Sequence, residues 1–89
     1  MGSGTVSGIR EINLHGLRAE TAKRTIEHAV RQAGFSEYRI RLIHGYHGGT
    51  VLKDWIREAY GTGGHPKVKR IEQGANPGIT ELVLREYRE

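Results

Sequence analysis

The sequence predicts an α/β fold, an α+β two-layer sandwich in which a mixed four-stranded sheet carries two helices. Apolar and polar residues alternate in four short segments, and two longer segments have helical periodicity. Glycine-rich turns separate these segments. The predicted order is β-α-β-α-β-β, with the helices on one face of the sheet and the other face partly open.

The first half of the chain predicts two strands with a helix between them. Strand periodicity covers residues 9–15 and 38–44, and residues 18–33 place small and branched apolar side chains at helical spacing. Gly34 ends this helix, and we expect Phe35 to pack back on its last turn. Because a strand-helix-strand unit sets its strands parallel, the carboxyl ends of both strands should meet at one edge of the sheet.

The second half predicts a helix and then a hairpin. Residues 50–60 carry an apolar stripe that includes Trp55, which we expect in the core. Glycines break the helix before a third strand over residues 68–72, and a fourth strand covers residues 79–87. The short turn between these two strands makes them antiparallel.

The first eight residues differ from the rest of the chain. Residues 1–8 are rich in Gly and Ser and have no apolar period. They are expected to be a disordered leader or a cloning remnant, so the predicted domain spans residues 9–89. Such a domain could also stand beside other domains of a longer chain.

Composition narrows the class of function. Lys and Arg number 14 against 10 Asp and Glu, a net charge of +4, which favours an anionic partner and nucleic acid first. The 89 residues include no cysteine, which excludes a disulfide scaffold and a zinc–thiolate site. They also include no apolar run of membrane-spanning length. We therefore expect a cytoplasmic protein without a membrane partner.

Two His-Gly dipeptides each close a predicted strand, one in residues 12–16 (Ile-Asn-Leu-His-Gly) and one in residues 44–49 (His-Gly-Tyr-His-Gly-Gly). Glycines before a helix leave backbone N–H groups free to bind an anion such as a phosphate. His15 and His44 are candidates for acid–base chemistry, because an ordinary histidine has a pKa of about 6.5. The alternative for His15 is a strand-end residue bonded to a nearby carbonyl.

These motifs resemble the Smr (small MutS-related) domain. That family has Leu-Asp-x-His-Gly at the end of its first strand, His-Gly-x-Gly after the second and Gly-x-Thr entering the last. Residues 12–16, 44–49 and 78–80 are similar to these three motifs, and the resemblance covers about residues 9–87. It implies a fold like the C-terminal domain of bacterial translation initiation factor three. It also implies nucleic-acid binding and, as in many members, endonuclease activity on DNA or RNA.

The resemblance and the charge pattern together define a candidate site. Catalysis would rest on His15 and His44, one near the nucleophile and one near the leaving group, with Asn13 beside them. The nucleic-acid-binding set combines the glycine-rich loop, a stacking aromatic residue, basic residues and the third motif. Its members are Gly45, Tyr46, His47, Gly48, Gly49, Arg39, Arg41, Lys53, Gly78 and Thr80, and further candidate phosphate contacts are Lys67, Lys69 and Arg70.

Two departures from the family pattern keep other hypotheses open. Asn13 stands where the family usually has Asp, and His47 stands where a Gly is expected, in a loop one residue longer. An amide can hydrogen-bond but cannot take a proton or supply charge, which favours a non-catalytic DNA- or RNA-binding module. A third hypothesis is a small-molecule phosphate or metal site. His15, His44, His47 and His65 could bind a divalent metal, although no carboxylate partner supports it and no cofactor is certain.

Overall fold

The computed structural model describes residues 3–6, 8–45, 49–61 and 64–85. Within these ranges the chain forms five strands and two helices. The strands are β1 (Ser3–Val6), β2 (Ile9–Asn13), β3 (Arg39–Ile43), β4 (Arg70–Gln73) and β5 (Ile79–Val83), and the helices are α1 (Ala19–Gln32) and α2 (Gly49–Tyr60).

The strands form one mixed sheet in the order β1-β2-β3-β5-β4. β2 and β3 are parallel, and the other neighbouring pairs are antiparallel. From β2 onward the order is β-α-β-α-β-β, which confirms the predicted α+β fold with two helices and a mixed sheet. Because β2 and β3 are parallel neighbours, their carboxyl ends lie side by side.

The first strand was not predicted. Residues 1–8 were expected to lie outside the fold, but β1 pairs antiparallel with β2, with Ser3 opposite Ile12 and Val6 opposite Ile9. This pairing uses backbone groups, which every residue but proline supplies in full, so a Gly- and Ser-rich segment can form it without an apolar pattern.

The core lies between the sheet and the two helices. Each helix buries one apolar stripe against the helix-facing side of the central strands. The buried side chains include Ile12, Ala22, Ile26, Val30, Ile40, Leu42, Ile56, Tyr60 and Leu82. Trp55 is half-buried and packs against this cluster, as its place in the apolar stripe of α2 predicts. No helix in the described ranges is long and apolar enough to cross a bilayer.

Two predicted details are wrong. Phe35 does not pack on the end of α1, because its side chain is 89% exposed. The last strand ends at Val83 and not at residue 87, since the backbone N–H groups of Leu84 and Arg85 turn to the Tyr38 carbonyl at 2.8 and 3.3 Å. Residues 86 and 87 lie outside the described part of the chain.

Candidate nucleic-acid interface

The two His-Gly motifs meet at one edge of the sheet. The backbone N–H of Leu14, just past β2, donates to the carbonyl of Ile43 at the end of β3, at 2.8 Å. A Cβ built on Gly45 would lie 3.6 Å from Cδ2 of the His15 ring, so the His15 ring lies beside the Gly45 backbone. We call this region the histidine edge. It consists of Asn13, His15, His44 and Gly45.

His44 is buried, with 8% of its surface exposed, and both of its ring nitrogens have partners. Nδ1 lies 3.1 Å from the carbonyl oxygen of Gly45, and Nε2 lies 2.8 Å from Oγ1 of Thr80. A carbonyl only accepts hydrogen bonds, so Nδ1–H donates to it and, in the neutral ring, the Thr80 hydroxyl donates to Nε2. The bond to Thr80 ties the end of β3 to β5, and together the two bonds leave no ring nitrogen free for a ligand.

The third motif supports the second directly. The backbone N–H groups of His44 and Gly45 both donate to the carbonyl of Gly78, at 3.0 and 2.9 Å. A Cβ on Gly78 would come within 3.3 Å of the Gly45 Cα, a contact tighter than side chains ordinarily make. In the Gly-x-Thr element, glycine thus permits the close backbone approach, and Thr80 supplies the hydroxyl that binds His44.

His15 differs from His44 in both exposure and bonding. Its side chain is exposed, and its ring has no hydrogen-bond partner among the described residues. The backbone N–H of His15 donates to Oδ1 of Asn13 at 2.9 Å, which forms an Asx turn at the end of β2. Asn13 therefore fixes the backbone that carries His15, and the His15 ring is the imidazole that a ligand can reach.

Part of the predicted glycine-rich loop lies outside the described residues, namely Tyr46, His47 and Gly48. Gly45 is described, with a φ of +81° that favours glycine, and Gly49 begins α2. The chain between Gly45 and Gly49 therefore connects the histidine edge to the N-terminus of α2, and anion binding by this loop stays a prediction.

The sheet face away from the helices carries a chain of alternating charges, which we call the open sheet face. It consists of Glu11, Arg41, Glu81, Arg39, Glu72 and Arg70, in that order of contact.

Glu81 is the centre of this chain. Its carboxylate is buried, accepts from Arg41 Nε at 2.7 Å and also pairs with Arg39. A second carboxylate, Glu72, pairs with Arg39 at 3.0 Å and with Arg70 at 2.9 Å. The hydrogen bond to Glu81 raises the pKa of Arg41, whereas hydrogen bonds from Arg39 and then Arg70 lower the pKa of Glu72. The arginines predicted to contact phosphate are therefore balanced by carboxylates.

A cleft of about 100 Å³ lies on the other side of the sheet, between α2 and strands β4 and β5. We call it the α2 cleft, and its lining residues are Lys53, Arg57, Ile71, Glu72, Gln73 and Thr80. Thr80 connects it to the histidine edge through the bond to His44.

Lys53 and Arg57 give the α2 cleft its positive charge, because the carboxylate of Glu72, which also borders the cleft, is paired with Arg39 and Arg70. They are one helical turn apart on α2, which places both on the same side of the helix. Neither forms an ion pair with any carboxylate in the part of the chain that the structure describes. Lys53 was a predicted phosphate contact. Arg57 was not predicted, although its spacing of four from Lys53 is the signal that could have found it.

The remaining basic candidates have structural partners. Lys67 Nζ donates to the carbonyls of Arg31 and Ala33 at 3.0 and 3.2 Å, which caps the C-terminus of α1. Arg70 belongs to the open sheet face. The side chain of Lys69 is exposed, and its backbone N–H donates to Val83 at 2.7 Å.

The four-histidine metal site of the third hypothesis does not form from the histidines that the structure describes. His65 packs on Tyr60 with ring centroids 5.8 Å apart, at the end of α2 opposite the histidine edge. Nδ1 of His65 accepts from the backbone N–H of Lys67 at 3.1 Å. Across residues 3–6, 8–45, 49–61 and 64–85, no group of three or more His, Asp or Glu side chains is placed to hold a metal ion.

The fold and this site define a small two-layer α+β module in which two parallel strands end in adjoining His-Gly motifs. The sequence model of the Smr domain family matches residues 12–79, and the chain belongs to this family. This family is of the nucleic-acid-binding, nuclease-like type.

A solved structure extends this relationship to nearly the whole module. The crystal structure of the Smr domain of Thermus thermophilus MutS2 is similar, with 27% sequence identity and a TM-score of 0.73. The match covers 85% of this chain and 98% of that one. No curated protein matches the sequence.

Proposed function

We propose that this domain binds the phosphodiester backbone of DNA or RNA along the α2 cleft and the histidine edge. One observation carries the proposal. Lys53 and Arg57 have no carboxylate partner among the described residues, and they line a cleft that also contains Thr80, the partner of His44. Accessible positive charge thus lies beside the family motifs, whereas the charge of the open sheet face is neutralised.

Each part of this surface has a role that suits a phosphate. Lys53 and Arg57 supply positive charge, and the exposed His15 ring supplies an N–H donor. The start of α2, four residues beyond Gly45, adds backbone N–H groups and the positive end of the helix dipole. Contacts of these kinds position a backbone and do not read bases, so binding should tolerate most sequences.

Fluorescence anisotropy with a labelled duplex over a range of salt concentrations tests the proposal. For wild type, the logarithm of the binding constant should fall linearly with the logarithm of the salt concentration. The Lys53→Ala/Arg57→Ala variant should lower the magnitude of that slope by about 2, one unit for each lost phosphate contact.

A matched control removes the same charge from another surface. Arg24→Ala/Arg31→Ala acts on the exposed face of α1, where neither side chain forms an ion pair or hydrogen bond with a described residue. This variant should keep nearly the wild-type slope. If the two double variants weaken binding equally, only general basicity attracts the nucleic acid and the α2 cleft is not the site.

A second candidate function, cleavage of RNA, is favoured by the exposed and unpartnered His15 ring. Its ring nitrogen would accept the proton of a ribose 2′-hydroxyl while the 2′-oxygen bonds to phosphorus. The bond from phosphorus to the 5′-oxygen would break, and the leaving oxygen would take a proton from water. His44, with both nitrogens occupied, would act as a positioning residue.

A cleavage assay with three variants tests this chemistry. His15→Ala should abolish cleavage while weakening binding by no more than one phosphate contact, and Asn13→Asp should raise cleavage if the family carboxylate serves as a proton acceptor. His44→Ala is a poor probe, because removing the ring leaves the Thr80 hydroxyl buried without its partner and lowers stability. Binding by a wild type that cuts neither RNA nor DNA would identify a non-catalytic module.

A further inference from the structure

The edge of the sheet opposite the histidine edge carries an exposed aromatic ring. Phe35 lies in the connection between α1 and β3, and 89% of its surface is exposed. The Arg85 guanidinium lies 4.3 Å from the centroid of its ring, which is a cation–π contact. The ring is therefore accessible to a ligand from solvent.

Phe35 borders a cleft of about 340 Å³, which we call the Phe35 cleft. Its side-chain walls include Phe35, Glu37, Pro66, Lys67, Leu84 and Arg85. The volume is comparable to that of small-ligand pockets, and the walls combine apolar surface with charge.

The charge of the Phe35 cleft is positive. The carboxylate of Glu37 pairs with Arg10 at 2.8 Å and accepts a hydrogen bond from the backbone N–H of Gly34 at 3.3 Å. Lys67 donates only to backbone carbonyls, and Arg85 has no carboxylate partner among the described residues. A ligand that matches this cleft carries a flat π-system and a negative charge.

We propose that the Phe35 cleft is a second nucleic-acid contact, which stacks an unpaired nucleobase on Phe35 and holds the adjoining phosphate with Arg85 and Lys67. Every base has a π-face, so such a platform tolerates sequence but requires a base outside a duplex. This inference rests on the proposed function, since it assigns the second contact of the same ligand.

The position of the cleft indicates the class of substrate. The Phe35 cleft lies at the start of β3 and the histidine edge at its end. The five residues of this strand separate these two levels by roughly 17 Å at 3.3 Å per residue. Helix α2 runs between the same two levels, with Lys53 and Arg57 along it and Lys67 in the connection that follows. A duplex on the α2 cleft with a single-stranded tail reaching Phe35 fits this arrangement, so the substrate class is a duplex–single-strand junction.

The test compares a blunt duplex, the same duplex with a single-stranded tail, and that duplex with an abasic tail. Wild type should bind the tailed duplex about tenfold more tightly than the blunt or abasic probe. Phe35→Ala should remove this preference and leave blunt-duplex binding unchanged, and Phe35→Trp should retain it. The exposed position of Phe35 predicts an unchanged melting temperature for both variants.

The outcomes separate the two proposals. Failure of wild type to bind any of the probes overturns the proposed function and this inference with it. Salt-sensitive binding that depends on Lys53 and Arg57, with equal affinity of wild type and Phe35→Ala for the tailed duplex, overturns only the Phe35 contact. An equal preference for normal and abasic tails shows that phosphates alone are held there, which also overturns it.

Discussion

The open sheet face and the α2 cleft each carry a pair of basic residues that look equivalent in the sequence. Arg39 and Arg41 are two apart on a strand, and Lys53 and Arg57 are four apart on a helix. In the fold, the first pair shares Glu81, which β5 brings from 40 residues away, and the second pair forms no ion pair with a described carboxylate. A basic residue is thus available to a ligand only where tertiary neighbours leave its charge unbalanced.

The largest effect is expected at the centre of the open sheet face. Glu81→Gln removes the buried carboxylate shared by Arg39 and Arg41 and should lower the free energy of unfolding by about 3 kcal/mol. Urea denaturation measures this change. Glu58→Gln, on the exposed side of α2, is the control and should shift stability by less than about 0.5 kcal/mol. Equal midpoints for the two variants would show that the ion pairs do not stabilise the sheet.

The next effect is on binding and belongs to the α2 cleft. Lys53→Ala/Arg57→Ala should weaken binding to a duplex about tenfold at moderate salt, because two phosphate contacts are lost. Its urea midpoint should stay near that of wild type, since neither side chain has an ion pair to lose. A large loss of stability in this variant would show that Lys53 and Arg57 stabilise the fold, as the charges of the open sheet face do.

Arg41→Gln should lower stability and leave binding nearly unchanged, the opposite of the α2 cleft variant, and its effect should be smaller. It removes the hydrogen bond to Glu81 and should cost about 1 kcal/mol of stability, because the side chain is one-third exposed and water screens the pair. Duplex affinity, measured by anisotropy, should change less than about twofold. If Arg41→Gln reduces the salt dependence of binding by a full phosphate contact, the open sheet face also binds nucleic acid.

The smallest effect is a pH dependence from Glu72. Hydrogen bonds from Arg39 and then Arg70 hold its folded pKa below the unfolded value of about 4.5. The stabilisation is therefore complete above that unfolded pKa and is lost as the pH falls through the lower folded pKa. Urea midpoints between about pH 3 and 6 should fall less steeply for Glu72→Gln than for wild type. Parallel profiles for the two proteins would exclude this contribution.

Most of the fold could be predicted because two different periodicities mark its strands and helices. The parallel pair β2 and β3 follows from the helix between them, and that geometry brings His15 and His44 to one edge. β1 could not be predicted, since its pairing depends on backbone groups and leaves no pattern of side chains.

The candidate site was less predictable, because its chemistry depends on contacts between distant strands. His15 and His44 have the same sequence context, a strand end followed by glycine, yet only His44 faces Thr80. The strand order that puts β5 beside β3 decides this difference and also pairs Arg41 with Glu81. No local pattern of residues in the sequence predicts this strand order. The sequence therefore indicates which residue types form the site but not which of them remain free.

The hydrogen bonds from His44 and Gly45 to Gly78 have a consequence for the order of folding during synthesis. They join residues more than 30 positions apart, so the histidine edge cannot close before the final hairpin has left the ribosome. A nascent chain that stops before β5 has the residues for both helices but lacks the strand that holds His44. The proposed nucleic-acid site is therefore assembled only after β5 has joined the sheet.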